Sequence, residues 1–363
     1  MTPPQDALAV PVSDRNPRLT EPTEPGTLIV PPDAIFPAEA VRGRIDAACA
    51  GLQDPAGIRA ATIAELQAAN AAGRAAIEAA FDEMPLAARR STRAWCHLTD
   101  CLVREVLHVA ETRLHPNALP SEAERMAVMA VGGYGRGEMA PFSDVDLLFV
   151  TPWKMTAAVE KVIESALYML WDLHLKVGHA SRTIKECLRL GRQDMTIRTS
   201  LLEMRFLCGT ETVARDLQAS LRRQLFDGTV GDFIEAKLDE RGARHRKQGG
   251  QRYMLEPNVK EGKGGLRDLQ TLYWIAKYEH AVDRVADLVA RGVFRPEEFA
   301  AFDAAERFLW AVRCHLHLIA GRAQDALSFD NQVQVAERMG YQDHSGRRAV
   351  EHFMQDYFRH ATR

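Results

Sequence analysis

Apolar positions change their period twice along the 363 residues. In the alanine-rich stretch 55–84, Ile63, Leu66, Ile77 and Phe81 share one helical face, and Ser91 opens a stronger amphipathic run carrying Trp95, Leu98, Leu102, Val106 and Val109. Pro116 and Pro120 end that run. Apolar runs of strand length then flank a glycine-rich turn at 126–131 and 144–150, with a short helix after the turn. A helix is predicted over 157–173 and a strand over 176–183. Beyond Asp194 the spacing is helical again, over 196–204, 214–226, 233–245, 266–278, 297–320 and 349–360. Helices, then strand–helix–strand, then helices describe an α+β chain: a small mixed sheet with its site at one edge, followed by a helical domain. The divisions expected are a tail at 1–40, a helical segment at 41–120, the sheet-bearing core at 121–210 and the helical domain at 211–363.

Composition trims this picture. Nine of the seventeen prolines fall within residues 1–37, among scattered polar residues, so that stretch reads as a flexible tail. A formal charge of −3 creates no broad field for polyanions, and bulk nucleic acid is not an expected partner. The six cysteines, Cys49, Cys96, Cys101, Cys187, Cys208 and Cys314, include no C-x-x-C pair, which fits reduced thiols in a cytoplasmic protein. No apolar run approaches the roughly 18 residues of a membrane span.

The chemistry concentrates in 132–146. Gly132-Gly133-Tyr134-Gly135-Arg136-Gly137-Glu138 precedes Ser143-Asp144-Val145-Asp146. Residues two apart on a strand share a face, so Asp144 and Asp146 project together with Val145 behind them. Paired carboxylates are the donor set of hard divalent cations, and glycines let backbone amides approach the phosphates that such cations carry. Gly132, Gly133 and Gly135 are candidate nucleotide contacts, and Ser143 offers a hydroxyl. No Lys-Ser or Lys-Thr follows the glycines, which excludes a Walker A loop, and they do not form a dinucleotide-binding GxGxxG. Later, Lys260, Lys263 and Arg267 suit a phosphate-facing surface, although their glycines also suit a plain helix entry with Asp268 in its first turn. The basic run 241–252 reads as a solvated face, or as a surface that guides triphosphate or docks an acidic patch.

These segments carry a resemblance. Gly-Gly-Tyr-Gly-Arg-Gly-Glu with Ser-Asp-Val-Asp resembles the nucleotidyltransferase signature of the DNA polymerase β superfamily, in the form used by bacterial PII uridylyltransferases. Glu256-Pro-Asn-Val-Lys-Glu-Gly-Lys-Gly-Gly-Leu-Arg-Asp268 is similar to that family's second signature, and Val177-Gly178-His179, Arg182-Thr183, Leu202-Glu203 with Arg205 and Phe329-Asp-Asn-Gln332 extend the likeness over about 90–363. The resemblance implies a polymerase β type core, Mg²⁺ or Mn²⁺ on Asp144 and Asp146, and transfer of UMP from UTP to a tyrosine of the PII signalling protein. Arg136 then shapes the loop or reaches phosphate. It also implies a third carboxylate, for which Glu203 is the best placed and Asp194 the alternative; the strand at 175–183 offers only His179, which reads as a hydrogen-bonded structural residue. Full-length members add a metal-dependent hydrolase domain and two ACT domains. No His-Asp dipeptide is present here, so the chain is expected to represent the N-terminal portion. An adenylyltransferase acting on glutamine synthetase or another protein, and a non-catalytic nucleotide-binding regulator, remain open alternatives.

Overall fold

The structure is a computed structural model that describes residues 28–117, 121–248, 254–280 and 287–362. Its sheet has the order β3-β2-β1-β4, from β1 (Ala127–Ala130), β2 (Val145–Thr151), β3 (Val177–Thr183) and β4 (Arg205–Gly209). β1 runs antiparallel to both of its neighbours, and β2 and β3 run parallel. That parallel pair requires a crossover, which α6 (Ala157–Asp172) provides after Thr156 caps its first turn.

Alternation along the strands divides the interior in two. Val128, Ala130, Val145, Leu147 and Phe149 face one core, which continues through α3 (Pro55–Glu83), α4 (Ala88–Val109), α6 and α13 (Pro296–Ala320). Ala127, Met129, Leu148 and Val150 face a second core closed by α7 (Ile184–Gln193), α8 (Met195–Leu202) and α9 (Glu211–Leu221). Asp146 has the parity of Leu148 and Val150, so it opens onto the second face, beyond the edge of its apolar packing.

Most predicted elements occur within a few residues of their expected limits. β4 is a difference. The helical reading ran through Met204, but α8 ends at Leu202 and Arg205–Gly209 pairs with β1. Five residues with only three apolar side chains, Phe206, Leu207 and Cys208, give too short a signal for periodicity to separate from a helix end. The tail is a second difference: its first 27 residues lie outside the described ones, but α1 (Pro32–Ile35) and α2 (Ala38–Ala48) stand where a tail was expected. There prolines start helices and do not exclude them, and Ile29, Ile35 and Phe36 are buried. Pro120 also lies outside the described residues, and α4 passes into a wider turn at Ala110–Leu114 before Pro116. No described helix is long and apolar enough to cross a membrane.

One ion pair ties the helical layer to the sheet beside the glycine turn. Arg205 on β4 donates to both oxygens of Asp100 on α4, at 2.7 and 3.0 Å, and to the carbonyl of Tyr134 at 3.3 Å. The Asp100 side chain is 10% exposed, and its loss strands the Arg205 guanidinium, which water reaches only in part. Asp100→Ala is therefore expected to lower unfolding stability by about 2 kcal/mol, measured by urea denaturation; an unchanged midpoint would remove this contact from the account.

Candidate active site

The glycine stretch turns as one short helix, α5 (Gly132–Gly135), immediately after β1. Gly132 has φ +60°, a left-handed conformation that a side chain would strain, and a Cβ there would lie 3.1 Å from Asp146 Oδ2. Gly178, the register partner of Asp146 on β3, performs the same service from the other side: its missing Cβ would stand 2.6 Å from Asp146 Oδ1. Asp146 thus occupies a slot between two glycines. Gly135 lets the turn pass against the backbone carbonyls of Ala130 and Glu203, and Gly133 faces the carbonyl of Glu138, 3.2 Å from where its Cβ would be.

Asp144 is exposed just before β2, Val145 is buried and Asp146 is half-buried, as the alternation requires. Burial raises the Asp146 pKa above its ordinary value; the charges of Asp144 and Glu203 push it further up, and Lys260 opposes them. The charge of exposed Asp144 acting on half-buried Asp146 is a repulsion that a divalent cation relieves. The donor chemistry therefore fits a hard cation on Asp144 and Asp146. Among the described residues no group of three His, Cys, Asp or Glu side chains stands close enough to enclose an ion.

The third-carboxylate candidates resolve differently. Glu203 is 4% exposed and lines the same cleft as Asp146, but its Oε1 accepts from Arg136 Nη1 and from the indole N–H of Trp274. Asp194 caps α8, accepting from the amides of Thr196 at 2.7 Å and Ile197 at 3.1 Å. His179 is paired with Leu147, so its side chain leaves the sheet on the face opposite Asp146, where its ring lies 6.2 Å from Trp171.

Arg136 is 7% exposed and holds both Glu138, at 2.7 Å, and Glu203, so it braces the loop. Ser143 Oγ accepts the amide of Ala140 at 3.0 Å, closing the turn before the aspartates. Behind that turn the Phe142 amide donates to His317 Nδ1 at 3.3 Å. An accepting Nδ1 places the imidazole proton on Nε2, 3.6 Å from Asp325 Oδ1. Asp325 also accepts from Arg313 at 2.8 Å, and its carbonyl accepts the Val259 amide of the second motif, so α13 links the two motifs.

In that second motif Asn258 Oδ1 caps the amides of Lys260 and Glu261, and the turn leads into α11 (Leu266–His280). Burial lowers the Lys260 pKa, as does the positive charge of Arg313. The Arg267 guanidinium lines the cleft and lies 5.4 Å from the Trp274 ring centroid. The basic run on α10 (Val230–Lys247) is neither solvated throughout nor free: Arg241, Arg244 and His245 converge on the buried carboxylate of Asp268, which also accepts the Gly264 amide at 2.8 Å. Arg246 and Lys247 are exposed, and residues 249–253 lie outside the described ones.

These parts enclose a cleft of about 520 Å³, a size suited to a nucleotide. Its floor is Gly132, Asp146, Gly178 and Ala180; α8 forms one wall with Thr196, Thr199 and Ser200; and α10 and α11 form the other with Lys237, Glu240, Arg267 and Trp274. Asp146, Gly132, Glu203 and Arg267 were legible in the sequence as site candidates. Lys237, Glu240 and Trp274 were not, because on a helix they read as ordinary amphipathic positions. Gly178 and Arg182 lay within a family-like segment but carried no recognisable chemistry.

Two family models match parts of the chain. Residues 115–207 match a nucleotidyltransferase domain, and residues 232–363 match the GlnD PII-uridylyltransferase model. The bifunctional uridylyltransferase/uridylyl-removing enzyme of Ruegeria pomeroyi is 61% identical over 329 residues, 91% of this chain and 36% of that protein. The enzyme of the same name from Cereibacter sphaeroides is 61% identical over 340 residues, 93% of this chain and 36% of its own length. That of Azospirillum brasilense is 48% identical over 301 residues, covering 83% and 32%. The chain thus spans about a third of the length of these relatives.

Removing Glu203 leaves a buried guanidinium with one partner fewer and an indole N–H without its acceptor. Glu203→Ala is expected to cost about 3 kcal/mol of stability, seen as a lower denaturation midpoint; stability equal to that of the parent chain would refute the bracing role.

Proposed function

Because the chain belongs to the PII-uridylyltransferase family of nucleotidyltransferases, we propose that its cleft transfers UMP from UTP to a tyrosine hydroxyl of a PII signalling protein and releases pyrophosphate. The observation that carries this reading is the Asp144–Asp146 pair, with Asp146 slotted between Gly132 and Gly178 on the floor of a nucleotide-sized cleft. Mg²⁺ or Mn²⁺ held by these aspartates would draw charge from the phosphates and favour ionisation of the attacking hydroxyl. The opening amides of the 132–135 turn, left over by the helical i→i−4 pattern, would be the donors available to the leaving phosphates. Arg136, through Glu138 and Glu203, fixes the shape of that turn. Lys260, whose charge already favours ionised Asp146, compensates the acidic side of the site.

To serve as third ligand Glu203 would have to move Oε2 toward the aspartates, since both of its described hydrogen bonds fall on Oε1 and no three such side chains stand close enough among the described residues to enclose an ion. If it does, Glu203→Gln weakens the Mn²⁺ dependence of turnover beyond any loss of stability.

Three outcomes are expected. With a PII protein, Mg²⁺ and each nucleoside triphosphate in turn, mass spectrometry of the acceptor should find the UMP adduct; an AMP adduct would favour the adenylyltransferase reading, and nucleotide binding with no adduct the regulator. Asp144→Asn and Asp146→Asn should each reduce transfer by at least about 100-fold while thermal unfolding stays cooperative; turnover retained in both under added Mn²⁺ would contradict the assignment. The third outcome concerns pH. Asp146 acts as the carboxylate and its pKa is raised, so activity should rise with pH through a limb above the usual Asp range. A bound cation favours the ionised form, so raising Mg²⁺ should move that limb to lower pH; a limb indifferent to Mg²⁺ would dissociate Asp146 from the ion.

A further inference from the structure

Lys237 is 2% exposed, on the inner face of α10, and its side chain lines the cleft. Its Nζ lies 4.8 Å from the Trp274 ring centroid and 5.7 Å from that of Phe233, and donates to Glu240 Oε2 at 2.7 Å. Glu240 is one turn along the same helix and its side chain is 49% exposed. Withdrawing an ammonium from water is expensive, and a local i,i+3 pair to a half-solvated carboxylate returns little of that cost. A lysine kept for structure alone would be replaced at a gain by an apolar chain of similar length.

The second cation of this wall repeats the pattern. Arg267 donates to Glu261 Oε1 from Nη2 at 3.2 Å and from Nε at 3.3 Å, and Glu261 lines the cleft as well. Neither carboxylate is trapped. Glu240 can turn to solvent, and Glu261 has Arg244 Nε at 3.8 Å from its other oxygen. Four acidic side chains, Asp146, Glu203, Glu240 and Glu261, line the cavity against three basic ones, Arg182, Lys237 and Arg267. Since Glu203 is neutralised by Arg136, Glu240 and Glu261 are what mask the positive wall.

We infer that Lys237 and Arg267 are phosphate-binding cations, and that Glu240 and Glu261 are resident stand-ins which a triphosphate displaces. The inference rests on the nucleotidyltransferase reading of the cleft. It explains why both cation–carboxylate pairs lie inside the cavity, and it makes the empty cleft reject small anions until a polyphosphate of sufficient charge enters with its cation.

Calorimetric titration of the 363-residue chain with Mg²⁺-UTP, Mg²⁺-tripolyphosphate and UMP tests it. Lys237→Met should weaken both polyphosphates by about 10- to 100-fold, the range of a lost charge-assisted hydrogen bond, and leave UMP nearly unchanged. Glu240→Gln should tighten both polyphosphates by about 3- to 10-fold, and the gain should vanish when Lys237→Met is also present. A structural role for Lys237 would lower the melting temperature but affect UMP and tripolyphosphate alike. Tripolyphosphate bound equally by Lys237→Met and the parent, or Glu240→Gln binding no tighter, overturns the inference; if Lys237→Met does not fold, Glu240→Gln decides alone. If the parent chain binds none of the three ligands, the nucleotidyltransferase reading itself fails.

Discussion

A single buried oxygen, Glu203 Oε1, receives both Arg136 from the glycine turn and Trp274 from α11. Without this oxygen the indole N–H of Trp274 loses its acceptor and the buried Arg136 keeps Glu138 alone, so Glu203 ties the glycine turn to α11. The turn keeps its shape through Arg136 and Glu138. The α11 wall keeps its distance through Trp274, whose ring also neighbours Lys237 and Arg267. The site thus depends on a carboxylate at the end of α8, 57 residues beyond Asp146 in sequence.

The cleft's two sides are stabilised by opposite means. On the sheet side, carboxylates crowd each other and glycines clear the space around them, which leaves unfavourable charge waiting for a counterion. On the α10–α11 side, cations are already satisfied by glutamates of the same cavity. A metal–triphosphate complex suits both at once, positive toward the aspartates and negative toward the lysine and arginine. Isolated phosphate suits only one of them. Electrostatic selection of this kind follows from where charges stand, with no need for motion of the fold.

Much of this was legible in the sequence, and the failures share a cause. The paired aspartates and the glycine turn could be read because alternation and backbone freedom are local properties, and the strands and long helices followed from periodicity. β4 escaped because an edge strand of five residues leaves too few apolar positions to count. The N-terminal prolines misled, since their helix-starting role depends on a core that Ile35 and Phe36 reach only in the folded chain. Arg136 was readable as a loop residue but not as one committed to Glu203, and Asp268 as a dipole partner but not as the collector of Arg241, Arg244 and His245. Partners distant in sequence are invisible to spacing. Lys237 and Trp274 belong to the same class: each is unremarkable on its own helix, and each acquires meaning from the other.

Trp274 carries a consequence of its own. Its indole N–H is held by a carboxylate while two positive groups lie near its ring, so the electric field across the chromophore is set by Glu203, Lys237 and Arg267. Whatever draws Lys237 or Arg267 away from that ring alters the field and therefore the wavelength of its emission. The wall of the cavity thus carries one of the chain's five tryptophans beside its two cations, where a change in either is felt by the indole.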